Sequence, residues 1–237
     1  MANFNDYLDF YNVARSRNKS NEAYFKFENF QSWMVIKSLQ GSGINFSGMK
    51  VLDIGSGMGG YSSSLVSHGA YVVAVDIANT YSSKVKGVTF AQADATRLPF
   101  RSNSFDFVFC SSLIEHVKNP DLLIKEIKRV LKNHGHFYLS FPPFWSPVGA
   151  HQFKPFHYLG EKIAVKLARK IHHVRSHRYD DKFGKLYIRT IRQVRGLLLK
   201  NSFKIRSIST RMSPINFAKI PILKEFLTWH VEFLLEK

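Results

Sequence analysis

A chain of 237 residues that is 45% hydrophobic and 14% aromatic has the composition of a folded globule, which excludes disorder as its main state. Its single cysteine, Cys110, excludes an internal disulfide and any multi-cysteine metal site, so a reducing compartment suits it. The net charge of +17 is uneven, +4 over residues 1–150 and +13 over residues 151–237, so the last third carries a field that attracts phosphates, whether of nucleic acid, anionic lipid or a charged small molecule.

Two stretches without Asp, Glu, Lys or Arg, Ile54 to Val75 and Asn133 to Phe153, are long enough to cross a membrane. The first is crowded with Gly and Ser, and the second holds Pro142, Pro143, Pro147 and three histidines, so neither reads as a lipid-exposed helix. The opening MANFNDYLDF carries acids and no apolar core, and no secretory signal is expected. The chain reads as cytoplasmic, either soluble or peripheral at a membrane.

In chain order, residues 1–45 read as a helical extension, with Phe27, Phe30, Trp33, Met34 and Leu39 forming an apolar stripe that ends at the GSG turn. Residues 46–142 alternate short apolar runs with helix-sized crossovers: MKVLDIG, a helix from Tyr61 to His68, AYVVAVD, VTFAQAD, FDFVFCSS, a helix from Pro120 to Lys132, and HFYLSF. Runs that are continuously apolar rather than alternating belong to parallel strands covered on both faces, so the fold class is α/β, a doubly wound sheet with helices on both faces. Residues 143–186 form a basic, aromatic insertion. Within it, a helix from Gly160 to His173 puts Ile163, Leu167, Ile171 and Val174 on one face and Lys162, Lys166, Arg169, Lys170 and His173 opposite. Residues 187–237 supply a helix from Tyr187 to Lys200, the strand FKIRSIST and a final strand from Phe226 to Leu235, paired antiparallel. The whole reads as a single domain.

GSGMGG satisfies G-x-G-x-x-G through Gly55, Gly57 and Gly60, after a strand and before a helix. Such glycines serve a nicotinamide dinucleotide or the amino-acid and ribose parts of S-adenosylmethionine alike. The flanking acids separate the two. Asp53 would crowd a pyrophosphate with like charge but favours a ligand with an ammonium end. Asp76 closes the second strand, where it would accept from ribose hydroxyls, and Asp94 follows the third, placed to accept from an adenine amino group.

Taken together, VLDIGSGMGG, AVDI, QADATRLPF, SFDFVFCSSLIEHV and LKNHGHFYLS, in this order and spacing, resemble the class I S-adenosylmethionine-dependent methyltransferases of the small-molecule type, closely over residues 45–142. The resemblance implies a seven-stranded sheet of order 3-2-1-4-5-7-6 with strand 7 antiparallel. It also implies S-adenosyl-L-methionine as cofactor, with Asp53, Gly55, Ser56 and Gly57 toward the methionine part, Asp76 and Ile77 toward the ribose, Asp94 and Ala95 toward the adenine, and Ser111 near the reactive centre.

Methyl transfer from a sulfonium needs alignment and exclusion of water, and no metal is required for it. A hydroxyl acceptor gains from a base, for which His151 and then His157 are the candidates, with His116 of the EHV signature assigned a structural or cofactor-side role. FPPF at Phe141 to Phe144 follows the fifth strand rather than the fourth and lacks the amide side chain of the motif used on amino groups. It reads instead, with Trp145, Phe153, Phe156 and Tyr158, as an aromatic wall in which Phe144, Trp145, Phe153 and Phe156 bind the acceptor. Three readings follow: oxygen methylation of a small-molecule, lipid-linked or glycan acceptor, with an anionic membrane surface as partner; methylation of RNA held by the basic third; and a non-catalytic basic binding protein on the same fold.

Overall fold

The computed structural model describes residues 4–17, 19–79, 81, 85–211, 213, 215–221 and 223–237. Helices α1 (Phe4–Ser16) and α2 (Asn21–Gly41) lead into β1 (Lys50–Ile54), α3 (Gly60–Ser67), β2 (Tyr71–Asp76), β3 (Val88–Gln92), β4 (Phe105–Ser111), α4 (Pro120–Val130) and β5 (Leu131–Phe141). There follow α5 (Glu161–Ile171), α6 (Ile191–Lys200), β6 (Lys204–Thr210), α7 (Lys224–Leu227) and β7 (Val231–Glu236). The strands form one seven-stranded sheet in the order β3-β2-β1-β4-β5-β7-β6, with β7 antiparallel to β6, as the sequence led one to expect. No helix among the described residues is long and apolar enough to cross a membrane.

The chain divides into two compact units, Met1–Cys110 with Glu126–Tyr138 and Lys237, and Ser111–Lys125 with Leu139–Glu236. In the first, β1 lies parallel between β2 and β4, so that Leu52 faces Val73 on one side and Val108 on the other. Val51, Leu52, Ile54, Phe107, Val108 and Phe109 are all buried, the signature of a strand pair with both faces covered. Ser20 caps α2 by accepting the Ala23 N–H, and Arg129 fastens the loop after β3 by pairing with Glu126 while donating to the carbonyls of Leu98 and Phe100.

In the second unit, α5 packs on the segment that follows β5 through a core of Phe144, Ala150, Phe153, Ala164, Val165, Ala168, Tyr179 and Leu186. The buried stripe of α5 is therefore Ala164, Val165 and Ala168 rather than the expected Ile163, Leu167 and Ile171. Small alanines let the helix lie close to its neighbours, and Ile163 and Ile171 are left 51% and 52% exposed. Helix α6 starts at Ile191, later than Tyr187, because Thr190 and Gln193 form a reciprocal capping box there. The last strand starts at Val231 rather than Phe226, because Lys224–Leu227 are taken up by α7.

Candidate functional site

The glycine loop lies in the first unit. From the end of β1 the backbone turns back on β2, with the N–H groups of Gly55 and Ser56 both donating to the Val75 carbonyl at 2.8 and 3.1 Å. Gly57 and Gly59 hold φ of +53° and +89°, the left-handed region that favours glycine, before α3 begins at Gly60. A Cβ on Gly59 would stand 2.7 Å from the Tyr81 ring, and one on Gly60 2.5 Å from the Cβ of Glu28. The loop is thus glycine-lined where the chain itself crowds it.

Three carboxylates surround this loop. Asp76 accepts the Gly57 N–H at 3.0 Å and the Ala78 N–H at 2.9 Å. Asp53 is only 2% exposed and accepts the Ser62 hydroxyl at 2.5 Å. Burial pushes its carboxyl up to about 7 against that hydrogen bond, with the nearby Asp76 charge adding to the rise. Glu28, on α2, is likewise pushed up to about 7, first by burial and further by Asp53, although the Gly60 N–H opposes the rise. The Glu28 Oε2 and Ser56 Oγ atoms are buried without a hydrogen-bond partner. Crowded carboxylates that resist ionisation, beside unpartnered acceptor and donor atoms and a glycine cradle, fit a ligand that brings a positive charge and polar groups of its own. They are a poor fit for a pyrophosphate.

The other expected contacts on this unit are placed as follows. Ile77 is largely exposed beside Asp76. Asp94 is exposed after β3 and accepts both the N–H and the hydroxyl of Thr96 at 2.8 Å, so it organises the turn that carries the half-buried Ala95. Glu28 and Tyr81 are absent from the sequence reading. Glu28 lies far upstream of the glycine motif on an ordinary amphipathic helix, with no spacing signal to mark it.

In the second unit, the Ser111 hydroxyl accepts from Ser140 Oγ and from Arg211 Nη2, each at 3.0 Å. The Arg211 guanidinium is buried, donates also to Ser140 Oγ at 2.7 Å, and lies with its Nε 3.5 Å from Glu232 Oε1. Nothing in the sequence pattern singled out Arg211.

The EHV signature forms a short 3-10 turn, Ile114–His116, after β4. The segment Lys185 to Arg189 pins it: the Tyr187 N–H donates to the Glu115 carbonyl at 2.8 Å, and Arg189 donates to the carbonyls of Ile114 and Val117. The His116 Nδ1 donates to the Lys185 carbonyl at 2.6 Å. The Glu115 side chain is 1% exposed and burial pushes it up to about 8, while His151 Nε2 stands 3.9 Å from its Oε1. Burial, and after it the neighbouring His116, pushes His151 down to about 4.

The remaining expected residues are placed differently. His157 is 0% exposed, with its ring between those of Phe144, Trp145 and Tyr158, and burial lowers it, so a role as base does not suit it. Phe144 and Phe153 are core residues whose rings pack tilted against that of Tyr179, and Trp145 and Phe156 pack on the same core half-buried. The expected aromatic wall is in large part the interior that holds α5 in place.

Residues 52–139 match a family described as a methyltransferase domain. An uncharacterized methyltransferase of Mycolicibacterium vanbaalenii is 30% identical over 149 residues, covering 60% of this chain and 57% of the relative, so the chain is matched to little more than half of that protein's length. An S-adenosylmethionine-dependent methyltransferase structure from Mesorhizobium loti superposes with a TM-score of 0.61 at 18% identity, over 85% of this chain and 96% of that one. The magnesium protoporphyrin IX methyltransferase of Synechocystis, solved with bound S-adenosylhomocysteine, gives 0.55 at 19% identity over 88% and 83%. Residues 52–139 thus match a methyltransferase domain, and the strand order is that of a fold shared with solved S-adenosylmethionine-dependent methyltransferases.

Proposed function

We propose that the protein transfers a methyl group from S-adenosylmethionine to a hydroxyl of a lipid-linked or glycan acceptor presented at an anionic membrane surface. The observation that carries the cofactor assignment is the ring of Glu28, Asp53 and Asp76 around the glycine loop, which suits a cationic nucleoside. Bound there, S-adenosylmethionine would supply an electrophilic methyl group for the acceptor oxygen. Asp76 holds the loop through Gly57 and keeps lone pairs for a ribose; Asp53 and Glu28 supply negative charge for an ammonium group.

The acceptor class is supported by the surface of the second unit. Helix α5 exposes Ile163 and Ile171 together with Lys162, Lys166, Arg169 and Lys170. Lys162, Lys166, Arg169, Lys170, His173, Arg175 and His177 also line an open groove of about 890 Å³. Apolar side chains set among bases are the arrangement that binds anionic bilayers; for RNA, exposed isoleucines contribute nothing. Incubation with radiolabelled methyl donor and separate glycan, lipid and RNA fractions tests the proposal: label in alkali-stable ethers of the lipid or glycan fraction supports it, and label in RNA alone overturns it in favour of the nucleic-acid reading.

A further inference from the structure

We propose that Glu115, His116 and His151 bind a divalent transition cation, held by one carboxylate oxygen and two imidazole nitrogens, with its remaining positions left to water or an oxygen ligand. This goes beyond the function proposed above and is independent of it. One candidate donor atom from each of the three residues lies within 4.8 Å of the other two, a cluster otherwise unexplained by the fold.

Four features point to a ligand rather than to packing. First, both oxygens of the buried Glu115 carboxylate, and His151 Nε2 beside it, are without a hydrogen-bond partner. Buried polar atoms left in this state are costly, and a carboxylate facing an imidazole lone pair is the donor set of zinc, manganese and iron sites. Second, the Lys185 carbonyl accepts from His116 Nδ1 at 2.6 Å, which requires the proton on Nδ1 and leaves the Nε2 lone pair for a metal. A backbone carbonyl behind the distal nitrogen is the usual support of a metal-bound histidine.

Third, the His151 ring stands at 88° to that of His116 with centroids 5.0 Å apart, so the two imidazoles meet edge to face beside the Glu115 carboxylate instead of stacking. Fourth, the nearby cations are engaged elsewhere: Arg211 with Ser111, Ser140 and Glu232, and Arg189 with the carbonyls of Ile114 and Val117. Metal bonds of about 2.0–2.2 Å put the ligand atoms of a tetrahedral ion about 3.3–3.6 Å apart. The 3.9 Å between Glu115 Oε1 and His151 Nε2 therefore has only a short way to close.

The test is direct binding, with no methyl acceptor present. Tag-free full-length protein stripped by chelator is titrated with Co(II), followed by its visible d–d absorption, and with Zn(II) by calorimetry. The expected result is one ion per chain, with Glu115→Gln and His116→Ala each weakening binding by at least about 100-fold while S-adenosylhomocysteine binding is retained. His116 is exposed, so His116→Ala decides the matter should Glu115→Gln fail to fold. Absence of stoichiometric binding, or binding that neither substitution weakens, overturns the proposal and leaves the methyltransferase assignment untouched; loss of S-adenosylhomocysteine binding by the unmodified chain overturns that assignment instead.

Discussion

The Asp76 carboxylate accepts the Gly57 N–H at 3.0 Å, so the end of β2 is tied to the glycine loop after β1 within the protein itself. One side chain thereby serves as strut for the loop and as acceptor for a ribose. Asp76→Ala is expected to weaken S-adenosylhomocysteine binding by at least about tenfold, as loss of a charge-assisted hydrogen bond costs roughly 1.5–3 kcal/mol. Asp76→Asn should fall between the two, and calorimetric titration of the three proteins checks the order.

The carboxyl of Asp53 carries a pH dependence whose sign follows from its environment. Burial raises it to about 7 in the folded chain, against about 4 when unfolded. Its contribution to stability is therefore fully present below about pH 4 and lost as pH rises through about 7, and Asp53→Asn should abolish that loss, raising the stability of the ligand-free protein at pH 8 by a few kcal/mol. The ammonium group of a bound ligand reverses the preference, so S-adenosylhomocysteine, a zwitterion that carries this group, should bind with release of protons near about pH 6.5 and more tightly toward about pH 8. Calorimetry in two buffers of different ionisation enthalpy counts those protons, and a count of zero contradicts the account.

Gly149 precedes His151 by two residues, and a Cβ there would overlap the Pro143 carbonyl and crowd Phe144. Gly149→Ala must displace backbone, so a loss of roughly 2–4 kcal/mol is expected, with a lowered melting midpoint. Gly160→Ala, where a Cβ meets nothing but φ is +84° and ψ 160°, a region kept for glycine, should cost roughly 1–3 kcal/mol from backbone strain alone.

Arg211 and Glu232 are both buried, and Arg211 gathers Ser111, Ser140 and His230 around one guanidinium nitrogen. Arg211→Leu is expected to destabilise by roughly 3–5 kcal/mol because Glu232 is left charged in the interior, and adding Glu232→Gln should restore a large part of that loss. Chemical denaturation of the single and double variants measures the coupling.

The parts of this molecule written in local pattern were legible in its sequence, and the parts decided by packing were not. Continuous apolar runs and their spacing led to the parallel α/β sheet, the resemblance carried by the five motifs implied its strand order, and the glycines and acids at strand ends led to the loop. Glu28 escaped because it reaches the loop only through the docking of α2 on α3. The buried stripe of α5 was misplaced by one position because isoleucines outweigh alanines on a helical wheel, whereas close helix packing rewards the small residues Ala164 and Ala168. Phe144, Phe153 and His157 were read as a wall and a base because an aromatic-rich loop has the same composition whether it lines a cavity or fills a core. Glu115 was visible in its signature; its burial, which makes it chemically distinctive, depends on the return of residues 185–189 in the second unit.

The account rests most heavily on the glycine loop's selecting a nucleoside with an ammonium group over one with a pyrophosphate. Injecting S-adenosylhomocysteine and NADH separately into the purified chain, at pH 8 and low salt, tests this directly. The expected outcome is saturable heat at one site per chain for S-adenosylhomocysteine, weakened at least about tenfold by Asp76→Ala, and none for NADH; saturable heat from NADH with none from S-adenosylhomocysteine would contradict it.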